Sequence, residues 1–294
     1  MRDDSERRQY VRLMSRAEAQ MLQGWLVSEQ WDEGEYDADV LYDIDTEGFW
    51  AILDDDGEVV GGLSIIASTD SIGSVSHFYI RPEARGFGWA RRAIPTLVQI
   101  HGHRLHDRLT LTTFSWPAAV DASAPIGFNP LHEELRMVRP PGTAPEALES
   151  ASIVDGRSMA EQDIIAFDAA RTGRERAILW RRWLDLPGAT TLVSLDGDGG
   201  IRALGTIRPT ALGHRVGPLD AVNADAAREV LLGLLPHAHG TRVAMDVPAI
   251  NSDAVDLALS LDFVEEFRTV RTVRGVVPDL PWHERYATVM LHLD

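Results

Sequence analysis

Residues 79–94 read YIRPEARGFGWARRAI, and this stretch constrains the fold more than any other. An apolar run, SVSHFYI, stops at Ile80; Gly86 and Gly88 follow, and a helical spacing of apolar residues begins after them. Glycines let a backbone approach a ligand closely, and successive N–H groups at a helix start converge on an anion. Arg85 before the glycines and Arg91 and Arg92 after them add charge-assisted contacts. A plain turn would also use glycine for its positive φ. The arginines, with strand, loop and helix in register, favour a pyrophosphate cradle.

Other phosphate loops fit worse. All 28 basic residues are arginines, so the lysine of a nucleotide-triphosphate loop is missing. A dinucleotide fingerprint needs a third glycine where Arg91 stands.

The apolar periodicities predict an α/β chain with a mixed sheet. In the first half they give a short strand, a helix capped by Ser15 and a second helix over EYDADVLYDID. A hairpin through Asp56-Gly57, the strand SVSHFYI and a helix over 88–101, interrupted by Pro95, come next. The strand DRLTLTTF, a weak helix ending at Gly127 and the strand LHEELRMVR close the half. PPGTAPEALES, residues 140–150, reads as a linker. The order then repeats: the helix GRERAILWRRWLDL, a hairpin, the strand VGPLDAV, a helix capped by Asn223, the strand TRVAMDV and the helix NSDAVDLALSL. The strands FVEEFRTVRTV and YATVMLHL end the chain. The expected units are 1–139 and 151–294.

Composition narrows the function. The chain has 294 residues, 45% hydrophobic and 25% charged, as in a globular protein. No cysteine means no disulfide, no thiolate-bound zinc and no thiol acyl-enzyme. A net charge of −17 argues against a nucleic-acid or anionic-membrane partner. The polar N-terminus and the lack of a membrane-length apolar run make a cytoplasmic location the expectation. Nothing fixes an oligomeric state.

RPEARGFGWA resembles motif A of the GNAT superfamily, the acetyl-CoA-dependent N-acetyltransferases, written Arg/Gln-x-x-Gly-x-Gly/Ala. Arg85, Gly88 and Ala90 fit its three defined positions. The chain is similar to the tandem GNAT proteins, with two such folds, and Trp31-x-x-Gly34 resembles an entry motif of one bacterial tandem group. The resemblance implies that acetyl-CoA is the cosubstrate. Phe78, Tyr79 and Ile80 would bind the pantetheine arm as an added strand. An N–H near Tyr79 or Ile80 would face the thioester oxygen. The amides of Arg85, Gly86, Phe87, Gly88, Trp89 and Ala90 would hold the pyrophosphate.

Two family expectations fail in the sequence. His77 and Ser76 stand where a carboxylate base is frequent, and Ser123 stands four residues before Gly127, where a tyrosine acid is frequent. His77 is the candidate base, with an ordinary histidine range suited to neutral pH; packing alone would also explain it. Tyr79 is a substitute acid or a core aromatic, and Ser123 orders a water.

From residue 17 to 80 there is no arginine, while Asp32, Glu33, Glu35 and Asp37 stand where the family's acceptor lid would lie. A negative potential there would draw in a cationic amine; the alternative is a solvated acidic face. The second half has no glycine loop before Asn223, so a degenerate, non-binding GNAT-like unit is expected there. His101, His103, His106, His237 and His239 lack a ligand spacing, and no metal is expected. The reading is an N-acetyltransferase acting on a small-molecule, cationic amine by direct transfer. The alternative is a non-catalytic acyl-CoA-binding or regulatory protein.

Overall fold

The structure, a computed structural model, describes residues 10–69, 72–89, 91–93, 95–96, 110–143, 145, 152–277 and 279–294. Strand β1 (Val11–Leu13) leads into the helix Arg16–Ser28. Ser15 caps that helix reciprocally with Glu18, whose carboxylate accepts the Ser15 N–H at 2.9 Å. Its apolar residues Ala19, Leu22 and Leu26 share one buried face, as helical spacing requires. The helix Asp37–Ile44 follows, then the hairpin of β2 (Phe49–Leu53) and β3 (Val59–Ala67), with Gly57 at φ +83° in its turn. β4 is Ile72–Ile80, β5 is Thr110–Ser115 and β6 is Asn129–Arg139. Between β4 and β5 the described residues 89, 91–93, 95 and 96 are helical; the rest of the helix expected over 88–101 lies outside the described residues.

The second half holds β7 (Ile153–Asp155), the helices Glu161–Thr172 and Ala177–Leu184, and the hairpin of β8 (Thr190–Leu195) and β9 (Ile201–Thr210). β10 (Gly213–Ala221), the helix Ala224–Leu234, β11 (Val243–Pro248), the helix Ser252–Ser260, β12 (Val264–Arg274) and β13 (Arg285–Ala287) complete it. The first of these helices escapes the periodicity reading because its buried positions mix Ile164, Ile165 and Phe167 with Asp168, Arg171 and Thr172. Polar residues interrupt the apolar stripe: Asp168 is bound by Arg176, and Arg171 pairs with Glu284 at 2.7 Å.

One mixed sheet runs through both halves in the order β1-β2-β3-β4-β5-β12-β6-β11-β10-β9-β8-β7, with β13 paired to β10. The last strands are exchanged. β12 lies between β5 and β6, while β6 pairs with β11 of the second half. A cut at 139/151 therefore does not separate two sheets, and the expected boundaries 1–139 and 151–294 describe the chain order, not two independent bodies. The described part of the expected linker is pinned too, with Gly142 N–H donating to the Gly240 carbonyl at 3.0 Å.

The core is shared in the same way. One buried cluster joins Leu22, Leu26 and Phe49 to Trp180, Trp183 and Val289. YATVMLHL is not one strand: it is extended only to Ala287, after which Thr288 N–H bonds the Asp246 carbonyl at 2.9 Å. Gly217 permits this approach, since a Cβ there would lie 2.3 Å from the Thr288 carbonyl oxygen.

Candidate active site: an open fork and a filled one

β4 and β5 run parallel and, among the described residues, pair from Ile72 to Ser74 against Thr110 to Thr112. Beyond that both strands continue, but apart. β4 stays on β3 and β5 stays on β12, so a fork opens between them. The Arg81 N–H donates to the Val60 carbonyl at 2.9 Å, toward β3. Strand amides alternate between edges, so Tyr79 also faces β3 while the Ile80 amide faces the fork. Of the two amides expected near a thioester oxygen, Ile80 is thus the open one.

A bulge adjoins the fork. Ser76 pairs with Ser64 and Tyr79 with Gly62, so His77 and Phe78 together oppose Leu63. His77 has φ +53°, uncommon for a residue with a side chain. Its ring is buried and its Nδ1 lies 2.7 Å from Ser64 Oγ. Phe78 is 44% exposed.

The glycine loop closes the fork's outer end. Arg85 Nε donates to the Ile80 carbonyl at 2.9 Å, and its guanidinium pairs with Glu29. Gly86 and Gly88 have φ +86° and +81°, and a Cβ at either would meet no described residue within 4 Å. The glycines are there for backbone conformation rather than for close packing. The helix starts at Trp89, with the Arg92 N–H donating to the Gly88 carbonyl at 3.2 Å. Arg92 turns to Asp55 and the Trp89 ring. Ala90 lies outside the described residues, as do His101, His103 and His106.

The fork opens into a cavity of about 510 Å³ lined by both halves. Phe78, Phe114, Trp116 and Trp31 face it from the first half, and Phe267 and Leu291 from the second. The expected acidic entrance is not there. Asp37 is buried and gripped by Arg208 through two bonds of 3.0 and 2.9 Å. Asp32 is buried against Arg242 at 2.9 Å, with Arg215 and Arg136 at 3.7 and 3.8 Å. Burial raises the Asp32 carboxyl, but those guanidiniums outweigh it and hold the group below its usual range. Of the four expected carboxylates only Glu35 is exposed, and Glu33 is buried as well. Asp37 and Asp32 find their nearest counterions, Arg208 and Arg242, in the second half, which the linear order hides.

The hydroxyls of Tyr79 and Ser123 are engaged in other bonds. The Tyr79 hydroxyl donates to Glu29 at 3.1 Å, and its ring stacks on Trp25. Burial and the Glu29 carboxylate push that phenol up, away from an acid's role. Ser123 Oγ donates to the Val120 carbonyl at 2.8 Å, and Ser123 is not among the lining residues. His77 is in the wall, but burial pushes it down to about 3. It is neutral at physiological pH and far too weak a base for the range expected of it.

Sequence reasoning missed the partners of His77. Glu33, from the loop after the first helix, lies 4.0 Å from His77 Nε2 and 2.7 Å from His292 Nε2. The two imidazole centroids are 3.9 Å apart. Burial raises the Glu33 carboxyl, but the hydrogen bond from His292 and the Arg215 guanidinium outweigh it and hold the group well below its usual range. The trio's polar atoms lie within 4.8 Å of one another. The closed Glu33–His292 bond and the Arg215 charge oppose a cation among them. No periodicity signals this cluster, because its members are up to 259 residues apart.

The second half has the same fork in a different state. β10 and β11 pair in parallel only from His214 to Val216 against Val243 to Met245. The gap beyond is occupied by β13, which pairs with β10 at Leu219 and Asp220. Asn223 caps the following helix directly, its side chain accepting the Ala226 N–H at 3.0 Å. No glycine loop intervenes.

Residues 14–122 match the family model described as Acetyltransferase (GNAT) family, and residues 164–287 match the one described as Acetyltransferase (GNAT) domain. The chain belongs to the GNAT family as a tandem member, and it is an acyltransferase of GNAT type. Over 277 residues it is 28% identical to holothin acyltransferase of Pseudoalteromonas sp. (strain SANK 73390), covering 94% of this chain and 91% of that protein. A protein from Pyrococcus horikoshii assigned as an acetyltransferase shares the fold at a TM-score of 0.76 and 15% identity, over 97% of this chain and 95% of that one. A tandem GNAT protein of the clavulanic acid pathway does so at 0.62 and 14%, over 92% and 99%. At such identities these structures speak for the fold alone. No helix among the described residues is long and apolar enough to cross a membrane.

Proposed function

We propose that the chain transfers an acyl group, acetyl by expectation, from acyl-coenzyme A to the amine of a small molecule held in the shared cavity. The observation that carries this reading is the open fork, bounded by a glycine loop at one end and continuous with a cavity at the other. The pantetheine arm would lie along β4 as an added strand, with the Ile80 amide toward it. The loop amides from Gly86 to Trp89 would hold the diphosphate at the helix start. A thioester at the fork would then meet an amine from the cavity, held for direct attack.

Each carboxylate in the wall is already paired, Glu29 with Arg85, Asp32 and Glu266 with Arg242 and Glu33 with His292, and aromatic rings supply much of the remaining surface. This favours a compact amine with an apolar or planar body over a polyamine. Holothin, named in the relative's activity, is the first acceptor to test.

Calorimetry with acetyl-CoA, followed by coenzyme A release over an amine panel, tests the proposal. Binding with turnover of planar amines is expected. Binding with no turnover on any amine would favour the non-catalytic alternative, and turnover of polyamines alone would reject the acceptor class.

A further inference from the structure

The reaction needs a group to take the proton that the attacking amine gives up, and neither His77, Tyr79 nor Ser123 suits the task. We infer that His292 accepts this proton at Nδ1 and that Glu33 is its positioning residue. The inference rests on the acyl-transfer reading and deepens it.

The tautomer follows from the bond. A carboxylate only accepts hydrogen bonds, so at 2.7 Å the hydrogen between His292 Nε2 and Glu33 Oε1 belongs to Nε2. In a neutral ring, Nδ1 is then left with its lone pair. That atom is buried and has no hydrogen-bond partner among the described residues. An unpartnered buried acceptor is costly unless it meets a ligand or a water, and the ring forms part of the cavity wall.

The ring is held from all sides. Trp31 lies on it with centroids 6.1 Å apart, and His77 at 3.9 Å. His77 is itself fixed by Ser64. The His292 carbonyl accepts from Ser74 Oγ at 2.6 Å, and the next carbonyl, that of Leu293, accepts from Arg174 at 3.0 Å. The titratable and charged groups facing the pair are His77 of β4 and Arg215 of β10, with Arg174 behind the backbone. A carboxylate behind an imidazole fixes its orientation and stabilises the imidazolium that forms.

In the step itself a C–N bond forms as the amine attacks the thioester carbon, and the C–S bond breaks. The amine proton passes to His292 Nδ1. The imidazolium, paired with Glu33, then returns that proton to the coenzyme A thiolate, so nothing is left over.

Nitrogen-15 spectra of the wild-type imidazoles, assigned with His292→Gln, provide a test that needs no acceptor. The inference requires an Nε2–H tautomer with an unprotonated Nδ1 for His292; an Nδ1–H tautomer overturns it. In turnover, His292→Gln is expected to lower kcat by about 10²- to 10⁴-fold with acyl-CoA affinity within about twofold. Added imidazole should restore part of the rate. Glu33→Gln should lower kcat at least tenfold and displace the acid limb of the pH profile. A purely structural role would leave that limb and the imidazole response unchanged. If wild type turns over and His292→Gln matches it, this inference fails while the acyltransferase reading stands. If wild type binds no acyl-CoA, the reading itself fails. Loss of activity on chelation that zinc restores would assign the trio to a metal and overturn the inference.

Discussion

The two forks of this molecule start alike and end differently. In each, a pair of parallel strands shares three residues of register and then parts. In the first half the gap leads to a glycine loop and a cavity. In the second half the chain's own β13 lies in the gap, its Tyr286 and Ala287 fully buried. An added strand satisfies the exposed backbone edge of a fork, and a pantetheine arm can do the same work. One fork is therefore open and the other is closed from within. The closing segment then ends at the apex of the open fork, where the Asp294 carbonyl accepts from Thr112 Oγ1 at 2.9 Å.

If that contrast is correct, the forks respond differently to loss of a ring. Tyr286→Ala should cost about 3 to 5 kcal/mol in denaturant unfolding, because a filled fork collapses poorly. Phe78→Ala, at an exposed position of the open fork, should cost less than about 1 kcal/mol and instead weaken acyl-CoA binding. Equal stability losses would erase the distinction.

The loops should separate next. Gly88→Val forces a β-branched residue to φ +81°. We expect roughly 10- to 100-fold weaker acyl-CoA binding by calorimetry as the diphosphate cradle shifts. Unchanged affinity would remove the loop from the site.

Titration should then divide the forks by sign. His77 is pushed down to about 3 and His132 of β6 to about 4, both mainly by burial. An unfolded histidine takes up a proton as pH falls below about 6.5 while these two do not. Their contribution is full above that range and is lost toward acid, by about 2 kcal/mol each at pH 5. Asp220, in the filled fork, is pushed up to about 7 by burial. It runs the other way: its contribution is full below the ordinary carboxyl range and is lost as pH rises toward 7. Melting temperatures across pH should show His77→Asn flattening the acid loss and Asp220→Asn flattening the neutral one. The same slope in both variants would contradict the assignment.

The smallest effect falls on the helix that follows the filled fork. Asn223→Ala should cost about 1 kcal/mol through the lost cap. Acyl-CoA affinity should not change. A change in affinity would mean that the second half does take part in cofactor binding.

What could be read ahead follows from distance along the chain. The Ser15–Glu18 box, the Gly57 turn and the Asn223 cap are contacts within a few residues, and each stands where periodicity and turn chemistry put it. The helix Glu161–Thr172 escaped notice because Asp168 and Arg171 interrupt its apolar stripe. Arg171 pairs with Glu284, far along the chain, an answer visible only after folding. The acidic run misled for the same reason, since Arg208 and Arg242 are far from Asp37 and Asp32 in the chain.

The linear sequence by itself determined the strand, the glycine loop and the helix start, because backbone φ preferences and apolar spacing act over a few residues. It also determined that only one half carries that loop. Tertiary structure decided the exchange of β6 and β12, the closing of the second fork by β13 and the meeting of Glu33 with His292. Those choices rest on contacts between residues far apart in the chain, which no local preference encodes and which exist only once both halves share one sheet and a common buried cluster.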